Sequence, residues 1–99
     1  MSKYADFLRE DQRLALLRLL AEMPSYRSNS SVLVSVMRTW GHDMSRDQVK
    51  TELTWLGEQG LLKVEDNLET VLVVALTERG ADVSAGRVTQ PGVKRPGPG

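Results

Sequence analysis

Few residues in this chain have chemical reach, and most of them lie near its middle. The sole histidine, His42, precedes Asp43, and Ser28, Ser30, Ser31 and Ser35 lie upstream of the pair. A metal ion needs three or four converging ligands, and general-base catalysis needs a nucleophile and a group that orients the base. The sequence offers neither around His42, which reads as a turn residue. The serines lack the glycine-flanked setting that exposes a nucleophile and read as caps and solubilising positions. With no cysteine there are no disulfides, thiolate metal sites or cysteine nucleophiles. No catalytic residue, metal or cofactor is assigned, and the expectation is a protein that is not an enzyme.

A second group suits binding. Ser45, Arg46, Lys50, Thr51 and Thr54 gather hydroxyls and cations on one stretch, and Lys63 follows shortly after. Arginine and lysine donate to guanine edges or phosphates, and hydroxyls donate to phosphates. Against this, Asp47, Glu52 and Glu58 leave the same stretch with a net charge of minus one, counting Arg46 and Lys50, and acids repel phosphate. Lys63 reads equally well as a charge that discourages sheet pairing at a strand edge. Trp55, Phe7 and Leu8 are candidates of another kind, apolar anchors for a protein partner. For Trp55 the alternative is packing beneath a hairpin, and Trp40 reads as core.

The elements that position these residues follow from periodicity. From Tyr4 to Met23 the chain is rich in helix formers, with Leu16, Leu17, Leu20 and Met23 at helical spacing. Pro24 ends this helix, and a break near Asp11 remains open. A polar run from Ser25 to Ser31 leads to a helix capped by Asn29 or Ser30 and reaching Trp40, with Val32, Leu33, Val36, Met37 and Trp40 on one side. Gly41 ends it. Ser45 and Gln48 form a capping box that starts a third helix. There Val49, Leu53 and Leu56 share a narrow sector, and Asp47, Lys50, Thr51, Thr54 and Glu58 lie opposite until Gly60 stops the helix. Alternation from Leu62, turn formers at Asp66 to Glu69, and the β-branched run Val71 to Leu76 predict a hairpin. Thr77 caps a short last helix to about Gly86. Pro91, Pro96 and Pro98 with interleaved glycines predict a disordered basic tail over residues 87–99.

At 99 residues the chain has room for one small core, placed in residues 1–86. Leu17, Leu20, Val36, Leu53 and Leu56 are its expected centre. Thirteen Lys and Arg balance thirteen Asp and Glu. Arg87, Lys94 and Arg95 sit in the acid-free tail, so ten cations face thirteen acids before residue 87. No global positive field draws nucleic acid, and any contact must be local. No apolar run is long enough for a membrane span and the N-terminus is charged, which predicts a cytoplasmic protein.

The order helix, helix, tight turn, helix, hairpin, helix is that of a mainly α, α+β winged helix-turn-helix, in which the third helix enters the major groove. Leu53-Thr54-Trp55-Leu56-Gly57-Glu58-Gln59-Gly60-Leu61-Leu62 and Leu76-Thr77-Glu78-Arg79-Gly80 resemble the recognition-helix end, wing and following helix of bacterial MarR- and PadR-type regulators. Tyr4 to Arg13, Asn29-Ser30-Ser31, Ser45 to Val49 and the tail Pro91 to Pro96 resemble a family of small proteins of Mu-like phages and prophages, which implies a phage setting without a mechanism. Two expectations follow: weak binding of double-stranded DNA through Ser45, Arg46, Lys50, Thr51, Thr54 and Lys63, as in a transcriptional regulator, or a protein-interaction module without DNA. The broad apolar stripe of the first helix, with Phe7 and Leu8 beyond it, also predicts a homodimer.

Overall fold

The computed structural model describes residues 3–97 and has an α+β architecture: four helices and a three-stranded antiparallel sheet. Helix α1 (Lys3–Glu22) is continuous through Asp11 and stops before Pro24, with Met23 forced into the extended region. A single 3-10 turn follows. Ser25 and Tyr26 both take positive φ, 57° and 56°, which swings the chain into strand β1 (Arg27–Asn29). This strand was not expected from its polar sequence. It forms because β3 (Leu72–Leu76) presents a free edge, on which Arg27 lies opposite Ala75 and Asn29 opposite Val73.

Asn29 caps helix α2 (Ser30–Thr39) by accepting from the Val32 amide. Its inward stripe is Ser30, Leu33, Val34 and Met37, so the helix is turned from the expected phase. Trp40 is therefore not core: it is 44% exposed, as Val32 is 42% exposed, and Val36 is only partly covered. The expected central residues Leu17, Leu20, Leu53 and Leu56 are fully buried. Helix α3 (Arg46–Glu58) begins with the Ser45–Gln48 capping box, both bonds of which are present. Its core residues are Val49, Leu53 and Leu56.

After Gly60, at φ +77°, β2 (Leu62–Asn67) pairs with β3 and gives the sheet order β1-β3-β2. The hairpin turn lies later than expected, closed by the paired bonds between Leu68 and Val71, and a bulge sits between Val64 and Asp66. Thr77 caps helix α4 (Glu78–Ser84). Gly80 lets α4 rest on the Leu61 carbonyl, since a Cβ there would collide with that oxygen. Leu61, Leu62, Leu72 and Val74 bring the sheet onto the three-helix core.

The tail is not a disordered appendage over residues 88–95. Val93 is 6% exposed and belongs to the core cluster, and Val88 packs against it. The Lys94 amide donates to the Glu10 carbonyl, Arg79 donates to Gln90, and Lys94 Nζ lies 3.5 Å from Asp11. Few apolar side chains suffice here because the strap also satisfies polar groups of α1. Pro98 and Gly99 of the expected tail lie outside the described residues.

Candidate functional site

The outward face of α3 carries most of the expected binding residues. Arg46, Thr51 and Thr54 are exposed, Lys50 is half-buried, and Ser45 sits exposed at the cap. Lys50, Thr51 and Thr54 line a shallow depression with Asp47, Trp55 and Glu58. The helix constrains the hydroxyls. Thr51 Oγ1 donates to the Asp47 carbonyl and Thr54 Oγ1 to the Lys50 carbonyl, each at 2.8 Å, so both face outward as acceptors. The Ser45 oxygen accepts the Gln48 amide and keeps its own proton to donate. Direct donors on this face are therefore Arg46, Lys50 and Ser45.

Glu52, counted in the charge of the α3 stretch, lies off its outward face. It is 8% exposed and faces inward, where Arg13 Nε donates to its Oε1 at 2.7 Å and Arg9 Nε lies 3.8 Å from Oε2. A signal for this was present, because Glu52 stands three residues after Val49 and four before Leu56, within the apolar sector. On the outward face Arg46 and Lys50 are balanced by Asp47 and Glu58 alone, a net charge of zero.

Trp55 packs at the edge of the core cluster. Its ring is stacked under the Arg13 guanidinium, 3.7 Å from the centroid, and Gly92 of the strap lies against it, leaving no room for a Cβ. Arg13 Nη1 also donates to the Gly92 carbonyl at 2.9 Å, so one guanidinium joins α1, α3 and the tail. Trp55 is thus half-buried, with one contact to Arg13 and Gly92 and one edge on the depression of α3.

Lys63 lies apart from these residues on the sheet, opposite Ala75, which in turn faces Arg27 across β3. Arg27 is held by Glu65 at 2.7 Å. The hairpin carries Glu65, Asp66 and Glu69 against Lys63, an acidic balance. Phe7 and Leu8 occupy the N-terminal half of α1, 61% and 37% exposed, with Lys94 Nζ 5.4 Å from the Phe7 ring centre. Leu8 also lines a cleft between α1 and α3. His42 turns to Asp11, its Nε2 3.8 Å from the carboxylate, while Asp43 faces Arg38.

Sequence comparison supplies the family. The chain is 46% identical to the uncharacterized protein gp26 of Escherichia phage Mu over 93 residues, 94% of this chain and 95% of gp26. This chain belongs to the gp26 family. An uncharacterized protein of Haemophilus influenzae is 41% identical over 76 residues, 77% of this chain and 74% of that protein. The expected kinship with a Mu phage protein therefore holds for nearly the whole length. No family model and no solved structure matches the chain, so the likeness to MarR- and PadR-type regulators rests on the residues quoted for it alone. Among the described residues no helix is long and apolar enough to cross a membrane.

Proposed function

We propose that this gp26-family chain is a winged-helix protein that binds duplex DNA with the outward face of α3, in the cytoplasm of the bacterial host and without a bond-making step. The observation that carries the reading is the orientation of α3. Its core stripe and Glu52 face inward while the exposed Arg46 and Ser45 and the half-buried Lys50 lie on the outward face. The element order, with β1 joining the hairpin sheet, suits a winged helix. In this reading the hairpin is a poor phosphate contact, since its acids surround Lys63, and affinity comes from few charges on the helix.

Counterion release then gives a shallow salt dependence, a log-log slope of about −2 to −4 for two to four phosphate contacts. Arg46→Ala and Lys50→Ala each weaken binding, and whichever side chain reads a base edge also loses ~1 to 3 kcal/mol of discrimination. Chemical-shift mapping with random and phage-derived duplexes at low salt is the test. Shifts over Ser45 to Thr54 support the reading. Unmoved amides on α3 overturn it in favour of a protein-interaction module.

A further inference from the structure

The shallow depression on the outward face of α3 carries charges of both signs, which phosphate binding by itself leaves unexplained. Asp47 and Lys50 both line it and stand three residues apart, neighbours on one face with Cβ atoms about 5 to 6 Å from each other. Among the described residues neither the carboxylate nor the ammonium takes part in an ion pair, so both are open to a ligand. Beside them, Thr51 and Thr54 have their hydroxyl protons committed to the Asp47 and Lys50 carbonyls. Lys50 is the one cation in the depression, and Arg46 lies outside it. We propose that Asp47 and Lys50 together read one C·G base pair in the major groove, Asp47 accepting from cytosine N4 and Lys50 donating to guanine O6 or N7. This assignment rests on the DNA reading of α3 and names what that face recognises.

Base pairs differ in what they show a carboxylate. Cytosine presents its N4 amine to the major groove with no acceptor of its own, and its guanine partner presents two acceptors, O6 and N7. An A·T pair instead sets its single amine, adenine N6, between adenine N7 and thymine O4, two acceptors that repel an anion. A carboxylate beside an ammonium therefore matches C·G, acceptor to donor and donor to acceptors, and mismatches A·T at the carboxylate. The threonines sharpen the choice. With their protons held by the helix they offer guanine no donor, so Lys50 is the only charged donor that the depression supplies. The net charge of zero on this face then has a physical role. Asp47 repels phosphate on every duplex and recovers the loss only where cytosine N4 meets it, which is how a repulsive group improves discrimination. Arg46, outside the depression, is left to the phosphates.

The test is selection of duplexes from a randomised pool by the full chain and by single variants, followed by binding titrations on the selected site with each base pair exchanged in turn. At one position the parent should favour C·G over the other pairs by about five- to a hundredfold. Asp47→Ala should lose that preference at this position alone, while its affinity for random duplex stays equal or rises. Asp47→Asn should move the preference to A·T, since an amide pairs with adenine N6 and N7. Lys50→Ala should lose the preference at the same position, and Arg46→Ala should weaken all sequences alike without changing it. Asp47 is exposed, so its variants keep the fold, which their thermal unfolding checks. A parent that binds without a C·G preference, or an Asp47→Ala protein that binds every sequence more tightly with the preference intact, overturns the assignment and leaves the DNA reading standing. No binding of any duplex, with the α3 amides unmoved, overturns both.

Discussion

Glu52→Ala tests the central contact of the molecule. Glu52 and Arg13 meet at 2.7 Å with side chains only 11% and 12% exposed, and the same guanidinium holds the Gly92 carbonyl and stacks on Trp55. At an effective dielectric of about 20, charges roughly 4 Å apart attract by ~4 kcal/mol, and desolvation of both groups takes back most of that gain. Removal of one partner is different, because it leaves a covered guanidinium without its counter-charge. Glu52→Ala should therefore cost about 3 kcal/mol in urea unfolding. Glu52→Gln retains an acceptor for Arg13 Nε and should cost ~1 to 2 kcal/mol, the difference between charged and neutral hydrogen bonds. The double variant Arg13→Met, Glu52→Met removes both charges and should be more stable than Glu52→Ala, while remaining below the parent because the Gly92 bond and the Trp55 stack are lost. The midpoints should move with an unchanged slope, so the shifts convert directly into free energies. A Glu52→Ala cost below about 0.5 kcal/mol, the behaviour of a solvated surface pair, would refute the argument.

Gly80→Ala should destabilise the fold by ~2 kcal/mol or more, because the new methyl meets the Leu61 carbonyl backbone and α4 must lift from the sheet; a thermal midpoint equal to the parent's contradicts this close approach. Ser30→Ala removes the hydroxyl that accepts the buried Leu72 amide at 3.0 Å and should cost ~1 to 3 kcal/mol, read as urea unfolding together with faster exchange of the Leu72 amide. Val93→Asp should release the strap: the Trp55 indole resonance shifts and the amide of Lys94 loses exchange protection, whereas an unchanged Trp55 environment shows that the strap does not depend on Val93.

The boundaries of the helices were legible because their signals are local. Pro24 stops α1, Asn29 caps α2, Ser45 and Gln48 cap each other at α3, and Thr77 caps α4, each acting within four residues of itself. The outward direction of Arg46, Lys50, Thr51 and Thr54 followed from the position of Val49, Leu53 and Leu56, again within one helix. Even the family likeness was carried by short runs of residues spread over the chain. What escaped depended on partners distant in sequence. Polar residues 27–29 became a strand only because β3 arrives beside them, and α2 turns Ser30 inward with Leu33, Val34 and Met37, where its hydroxyl accepts from the Leu72 amide 42 residues away.

Composition alone determined that a 99-residue chain with balanced charge and no cysteine would stand on one small apolar core. Tertiary structure also decided how α1, α3 and the tail are joined, through a single side chain. Arg13 reaches Glu52 across 39 residues and Gly92 across 79, and in doing so buries an acid that α3 would otherwise show to solvent, fixes Trp55 and ties down a tail rich in proline and glycine. The position of Glu52 within the apolar sector signals its burial, but no periodicity and no cap announce Arg13 and Gly92 as partners. The stability of this contact arises only after the core has brought α1 and α3 together and excluded the water that would otherwise solvate both charges.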